Sequence, residues 1–202
     1  MNTGSNSRQN TRMIAGCGVL IAVAVILQYI EFAIPVMPSF IKLDFSDLPE
    51  IIGAFAYGPI AGIAITIIKN VIHMLASQSG FVGELSNALL GCVFSLVAGL
   101  VYRKFKSRKG AIAGGILGSV AMAIISFPSN LYLIYPLYIN VLGFPLEAII
   151  GMYKVLNPNI ETLPQALLYF NVPFTLAKGL IDVVFCLIIY KRISPVLHNT
   201  KR

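Results

Sequence analysis

Apolar residues fill five stretches of this chain almost without interruption, at positions 13–30, 59–76, 85–101, 111–127 and 174–190. Each is close to the roughly 17–25 residues that an α-helix needs to cross a bilayer. Runs of this length do not suit the strands of a membrane β-barrel, which alternate in polarity. Breaks fall where the chemistry demands them. Pro35 and Pro38 end the first helix, expected over 13–31, and open a loop over 37–47. Residues 48–57 are apolar but make only half a span, closed by Gly58 and Pro59. Further helices are expected over 59–77, 83–102, 110–138 and 166–190, with a longer, more polar connection over 140–165. The pattern predicts an all-α polytopic membrane protein with six transmembrane helices, counting the short one. It forms a single membrane domain over 11–195, with polar tails at 1–10 and 196–202.

Composition strengthens that reading. Charged residues make up 11% of the chain, against roughly 25% in soluble domains, too few to cover a water-facing surface. The net charge of +7 points to topology rather than to nucleic acid. Eleven of the fifteen Lys and Arg residues lie at 8–12, at 103–109 and at 191–202, each group flanking an apolar run. If the crossings alternate from a cytoplasmic N-terminus, all three groups fall inside, as the insertion rule requires. Both termini and the basic 103–109 loop are then cytoplasmic, and the 37–47 loop is extracellular. Seven of the eight acids, all but Asp182, fall at or near the outer face.

Cys17, Cys92 and Cys186 sit on separate apolar runs without paired spacing, which reads as packing rather than as a disulfide or metal site. Residues 14–17 resemble a lipoprotein cleavage box, but the preceding residues are polar, so the expectation is that no signal is removed there.

Ionisable groups inside spans are costly, so each calls for a reason. Lys69 lies in the third expected helix, and Lys178 and Asp182 lie in the last. The alternating topology puts Lys69, Asn70, His73, Asn87, Asn130, Thr175 and Lys178 all in the outer half of the membrane. Such convergence reads as a water-accessible binding pocket open to the outside. Structural alternatives exist for each. Lys178 and Asp182 are four apart on one helix and can neutralise each other. Lys69 can extend its stem to the interface, and any Asn can bond a neighbouring helix. Tyr132, Tyr135 and Tyr138 suit an interfacial belt or the cover of an aromatic ligand. Gly18 and Ala22 form a small-xxx-small pair, and Gly110, Gly114 and Gly118 repeat that spacing. No phosphate-binding GxxxxGK[ST] loop, HExxH or GxSxG occurs in the sequence. A transporter so built is passive or takes its motor from partners.

Residues 42–49 (KLDFSDLP), 55–62 (FAYGPIAG) and 68–70 (IKN) resemble the substrate-binding subunits of energy-coupling-factor vitamin transporters, with the riboflavin-specific members the best likeness. Asn87, the segment from Asn130 to Tyr138, and the PFTLAKG of 173–179 extend the resemblance to nearly the whole chain after the tail. It implies a six-helix membrane fold in the cell membrane that binds a vitamin in an outer-half pocket, capped by the loop after the first helix. It implies ring contacts from Leu43, Asp44 and Phe45, and polar contacts from Asn87, Asn130, Thr175 and Lys178. It also implies partners: a transmembrane coupling subunit, facing Gly18 and Ala22, and two cytoplasmic ATPases. Riboflavin would be cargo, with no cofactor, no metal and no catalytic residue. Thr175 departs from the Asn expected in the last motif, which bears on the choice among flavins. The other readings are a different small aromatic vitamin, a membrane scaffold without ligand, and an intramembrane enzyme using Lys178, Asp182 or His73.

Overall fold

A computed structural model describes residues 3–198, with side chains described over 10–189; the ends of the two expected tails, 1–2 and 199–202, lie outside the described residues. Helix α1 runs Thr3–Tyr29, and its membrane-length part is Asn10–Tyr29. The prolines that follow admit no helix, and the chain turns back as a two-residue antiparallel pair, β1 (Phe32–Ala33) with β2 (Lys42–Leu43). Helix α2 (Asp47–Tyr57) starts with Asp47 and Glu50 in its first turn, where carboxylates favour the helix dipole. It stops at Gly58, whose φ of 103° is open to glycine alone at low cost, and Pro59 starts α3 (Pro59–His73). A single 3₁₀ turn, Met74–Ala76, leads towards α4 (Val82–Lys104).

The Ser107 hydroxyl accepts from Gly110 N at 3.1 Å and so caps α5 (Arg108–Ser129). Pro128 withholds an N–H from that helix, and a π turn (Asn130–Ile134) follows before α6 (Tyr135–Asn140) completes the rod. The expected loop over 140–165 contains a helix, α7 (Leu146–Leu156), which buries Ile149 and Tyr153 on one face. Thr162 and Gln165 cap α8 (Leu163–Ala166) reciprocally. A second π turn (Leu167–Asn171) joins it to α9 (Val172–His198).

The protein is an all-α membrane protein apart from the small strand pair. Among the described residues five helices are long and apolar enough to cross a membrane: Asn10–Tyr29, Pro59–Ala76, Val82–Lys104, Arg108–Asn140 and Leu163–Ile189. With 11 residues, α2 is not one of them, so the expected sixth crossing rests on a short helix.

Polarity is inverted relative to a water-soluble protein. Ile60, Val71, Ile124, Val184 and Ile188 face outward, while Lys69, Glu50, Asp182 and Ser119 are fully buried. Small residues set the close approaches. A Cβ on Gly114 would lie 2.7 Å from the Ala98 carbonyl, and one on Gly62 would lie 2.8 Å from Ala54 Cβ and 2.9 Å from Ser95 Cβ. The glycine stripe of α5 is thus consumed inside the bundle against α4. One apolar core gathers Ile51, Phe55, Phe94, Met122 and Cys186; a second gathers Ile134, Tyr135, Ile149, Tyr153 and Leu167.

Candidate binding cavity

Both cores border a cavity of about 490 Å³: Met122 and Leu90 line it from the first, Ile134, Tyr135 and Phe40 from the second. That volume lies within the range of small-molecule sites, roughly 300–1,000 Å³. Its wall combines rings with amides, hydroxyls and charges, which suits a flat, partly polar ligand.

One wall is an ionic lock. Lys178 on α9 donates to Asp44 Oδ2 at 3.0 Å and lies 3.1 Å from Asp47 Oδ2. The other Asp47 oxygen takes Lys69 of α3 at 2.8 Å, so this carboxylate divides itself between two ammonium groups. Lys69 Nζ also donates to Ser46 Oγ and lies 2.6 Å from Glu50 Oε1, an ion pair in which neither Glu50 oxygen receives a hydrogen bond from the described residues. Asp44 Oδ1 in turn accepts from Ser46 N at 2.8 Å and from Ser46 Oγ. The 44–47 segment is therefore bolted to α3 and α9 by buried charge. Partnerless, any of these ions would be strongly destabilising; paired and hydrogen-bonded, they are tolerated.

Two further lining residues, Tyr135 and Asn171, form a closed ring of neutral groups with Tyr153. Tyr153 O–H donates to Asn171 Oδ1 at 2.6 Å, and Asn171 Nδ2 donates to Tyr135 Oη at 3.2 Å. With its single proton spent, Tyr153 is the acceptor in the 2.5 Å contact from Tyr135. Burial, reinforced by Tyr135, pushes the Tyr153 hydroxyl well above the ordinary tyrosine range, so it stays a neutral donor. Both π turns abut this ring, one ending just before Tyr135 and the other on Asn171. Phe40 meets Tyr135, Tyr138 and Tyr153 edge-on or tilted, with centroids 6.0–6.4 Å apart.

At the rim, Lys42 of β2 donates to Glu31 at 2.5 Å and to Gln78 at 2.9 Å, which ties the strand pair to the end of α1 and to the turn after α3. Glu84 accepts from Ser77 at 2.9 Å and Ser79 at 3.0 Å and pairs with His73 at 2.9 Å. Gln28 donates to Asn70 Oδ1 at 2.9 Å, and Asn70 donates to Thr66 O. This fixes which way the Gln28 amide points, and its buried Oε1 has no partner among the described residues.

Of the residues singled out in the sequence, Asp44, Asn87, Asn130, Thr175 and Lys178 line the cavity, as do His73, Tyr135 and Tyr138. Leu43 and Phe45 do not. Leu43 pairs with Phe32 in the strand pair, and Phe45 meets Phe185 edge-to-face with centroids 5.4 Å apart, outside the lining. Gly18 and Ala22 sit on the exposed face of α1, with nothing within 4 Å of a Cβ placed on Gly18. Two sequence alternatives are overturned. Lys178 is committed to Asp44 and Asp47, not to Asp182, and Lys69 is fully buried rather than reaching for the interface. Gln28, Phe40 and Asn171 went unrecognised in the sequence. Asn171 carried a readable sign, being an amide in an apolar run as Asn130 is, whereas Phe40 in its loop carried none.

The family model described as ECF transporter, substrate-specific component, matches residues 12–190. The chain is 32% identical over 194 residues to a protein of Staphylococcus aureus named riboflavin transporter RibU, covering 96% of each. It is 36% identical over 186 residues to riboflavin transporter FmnP of Bacillus subtilis, covering 91% of this chain and 92% of that one. Among solved structures it resembles the S component of a bacterial ECF transporter, with a TM-score of 0.74 and 28% identity over 94% of this chain and 99% of the other.

Proposed function

The chain belongs to the family of substrate-specific components of ECF transporters, and from that premise we propose that it captures riboflavin for an ATP-driven importer. The observation that carries the reading is the cavity itself. It is large enough for a tricyclic ring with a polyol tail, and it is walled by Phe40, Tyr135 and Tyr138 together with Asn87, Asn130, Thr175 and Lys178. Aromatic walls suit the isoalloxazine ring, and the amides and hydroxyl suit its imide edge and the ribityl chain. The names of the Staphylococcus and Bacillus relatives point to the same vitamin.

In this reading the cavity faces outward and the 37–47 loop is its lid. The chain crosses the cell membrane six times with α2 as the short crossing, and both termini are cytoplasmic. The basic residues of 103–109 support that orientation. The motor comes from a transmembrane coupling subunit and two cytoplasmic ATPases, with the exposed Gly18 and Ala22 of α1 meeting the coupling subunit. The chain carries cargo and performs no catalysis.

Titrating riboflavin into the protein in mild detergent, with flavin fluorescence as readout, tests the proposal. Saturable one-to-one quenching is the expected result. A folded protein that quenches neither riboflavin nor FMN would redirect the search to other small aromatic vitamins.

A further inference from the structure

Six ionisable side chains, none more than 7% exposed, lie in or behind the ionic wall of the cavity. Asp44, Asp47 and Lys178 line the cavity, Lys69 and Glu50 are ion-paired behind them, and Asp182 is one helical turn from Lys178. Two ammonium groups against four carboxylates leave two negative charges uncompensated if every group is ionised. Five of the six are in ion pairs. The exception is Asp182, which is fully buried. Neither its oxygens nor those of Glu50 receive a hydrogen bond from the described residues, but Glu50 has the Lys69 ammonium at 2.6 Å and Asp182 has no such partner among them.

The groups that face Asp182 electrostatically are Asp47 from α2, Asp44 from the loop, Lys69 from α3, and Lys178 and Cys186 on its own helix. Lys178 lies one turn away, the spacing at which a lysine and a carboxylate on one helix meet. That lysine is nonetheless engaged by Asp44 and Asp47. An ionised Asp182 would compete for the same ammonium and add charge to a site that already has a surplus of carboxylates. A neutral Asp182 does neither. A metal cation would need several oxygen ligands, whereas a proton needs one lone pair, which Asp182 has free.

We propose that Asp182 is a proton-binding site: it holds one proton at neutral pH while Lys178 grips the 44–47 segment, and releases it to water when that grip is lost. On release Lys178 remains an ammonium and pairs with the newly formed Asp182 carboxylate, while the freed 44–47 segment carries the Asp44 carboxylate away from it. Closing the 44–47 segment onto α9 thus takes up one proton, and higher pH opposes it.

Infrared spectroscopy of the full chain in lipid nanodiscs, without flavin, tests this independently of the transport reading. The difference spectrum between wild type and D182N at neutral pH is expected to contain one carboxylic-acid carbonyl band, absent from the variant and retained in E50Q. The band should shift when aspartate alone carries carboxyl ¹³C, an arm that needs no variant. In D44N, which strips Lys178 of one loop partner, the band should vanish at lower pH than in wild type. Absence of an aspartic-acid band in wild type, its loss in E50Q instead, or its removal by sodium at constant pH would overturn the proton site. A band that titrates identically in D44N would overturn the link to the loop.

Discussion

Lys178 Nζ lies 3.0 Å from Asp44 Oδ2, a bond that joins residues 134 positions apart and closes the first third of the chain onto the last helix. Because Lys178 also lines the cavity, the contact that holds the loop is part of the wall that a ligand would touch.

Replacing Lys178 with Ala is therefore expected to weaken riboflavin binding tenfold or more, about 1.4 kcal/mol. Asp47 keeps Lys69, but Asp44 loses its only ammonium partner among the described residues. Fluorescence titration of a folded variant checks this, and unchanged affinity would remove Lys178 from the site.

Gln28 offers the cavity an acceptor whose direction is dictated by Asn70. A ligand imide N–H is the natural partner for its free Oε1. Gln28→Leu should lower riboflavin affinity by roughly tenfold, in line with about 1–3 kcal/mol for a buried polar group left unpaired. Affinity equal to wild type in the same titration would show that the ligand does not use this amide.

Tyr153→Phe breaks the ring of hydroxyls and amide. Asn171 Oδ1 loses its donor and the Tyr135 proton loses its acceptor. The expected cost is about 1–3 kcal/mol of stability, visible as a lower melting temperature in detergent. An unshifted melting curve would mean that water or a rearranged Asn171 replaces the lost bonds.

Two glycines should separate folding from assembly. A side chain at Gly62 collides with Ala54, Ser95 and the Glu50 backbone, so Gly62→Val should destabilise by about 1–3 kcal/mol. Gly18 has open space, so Gly18→Leu should leave melting and riboflavin binding intact. If α1 meets the coupling subunit there, Gly18→Leu should still abolish vitamin uptake by cells. Normal uptake would move the docking face elsewhere.

Much of the membrane architecture was legible because apolar length and charge asymmetry are local properties. The cavity polar set was partly legible too: an Asn, Thr or Lys inside a span stands out, and Asn87, Asn130, Thr175 and Lys178 do converge. Pairing was not. The i, i+4 spacing of Lys178 and Asp182 suggested a local pair, but a tertiary contact supplies two carboxylates from the loop and takes the lysine away. Helix α7 is hidden in the longer, more polar connection over 140–165, where Gly143, Pro145, Asn157 and Pro158 flank it, although Ile149 and Tyr153 have helical spacing. Phe45 looked like a ligand contact by resemblance, while its ring packs on Phe185.

The two π turns make the cavity depend on counting as well as on chemistry. Each holds one residue more than an α-helical turn would, and one residue is worth about 100° of rotation. Removing one residue from 130–134 would swing Tyr135 out of the ring it shares with Tyr153 and Asn171, with every side chain of that ring still present in the sequence. Among homologous chains, a single-residue gap at either turn would thus announce a different cargo more loudly than a substitution in the wall.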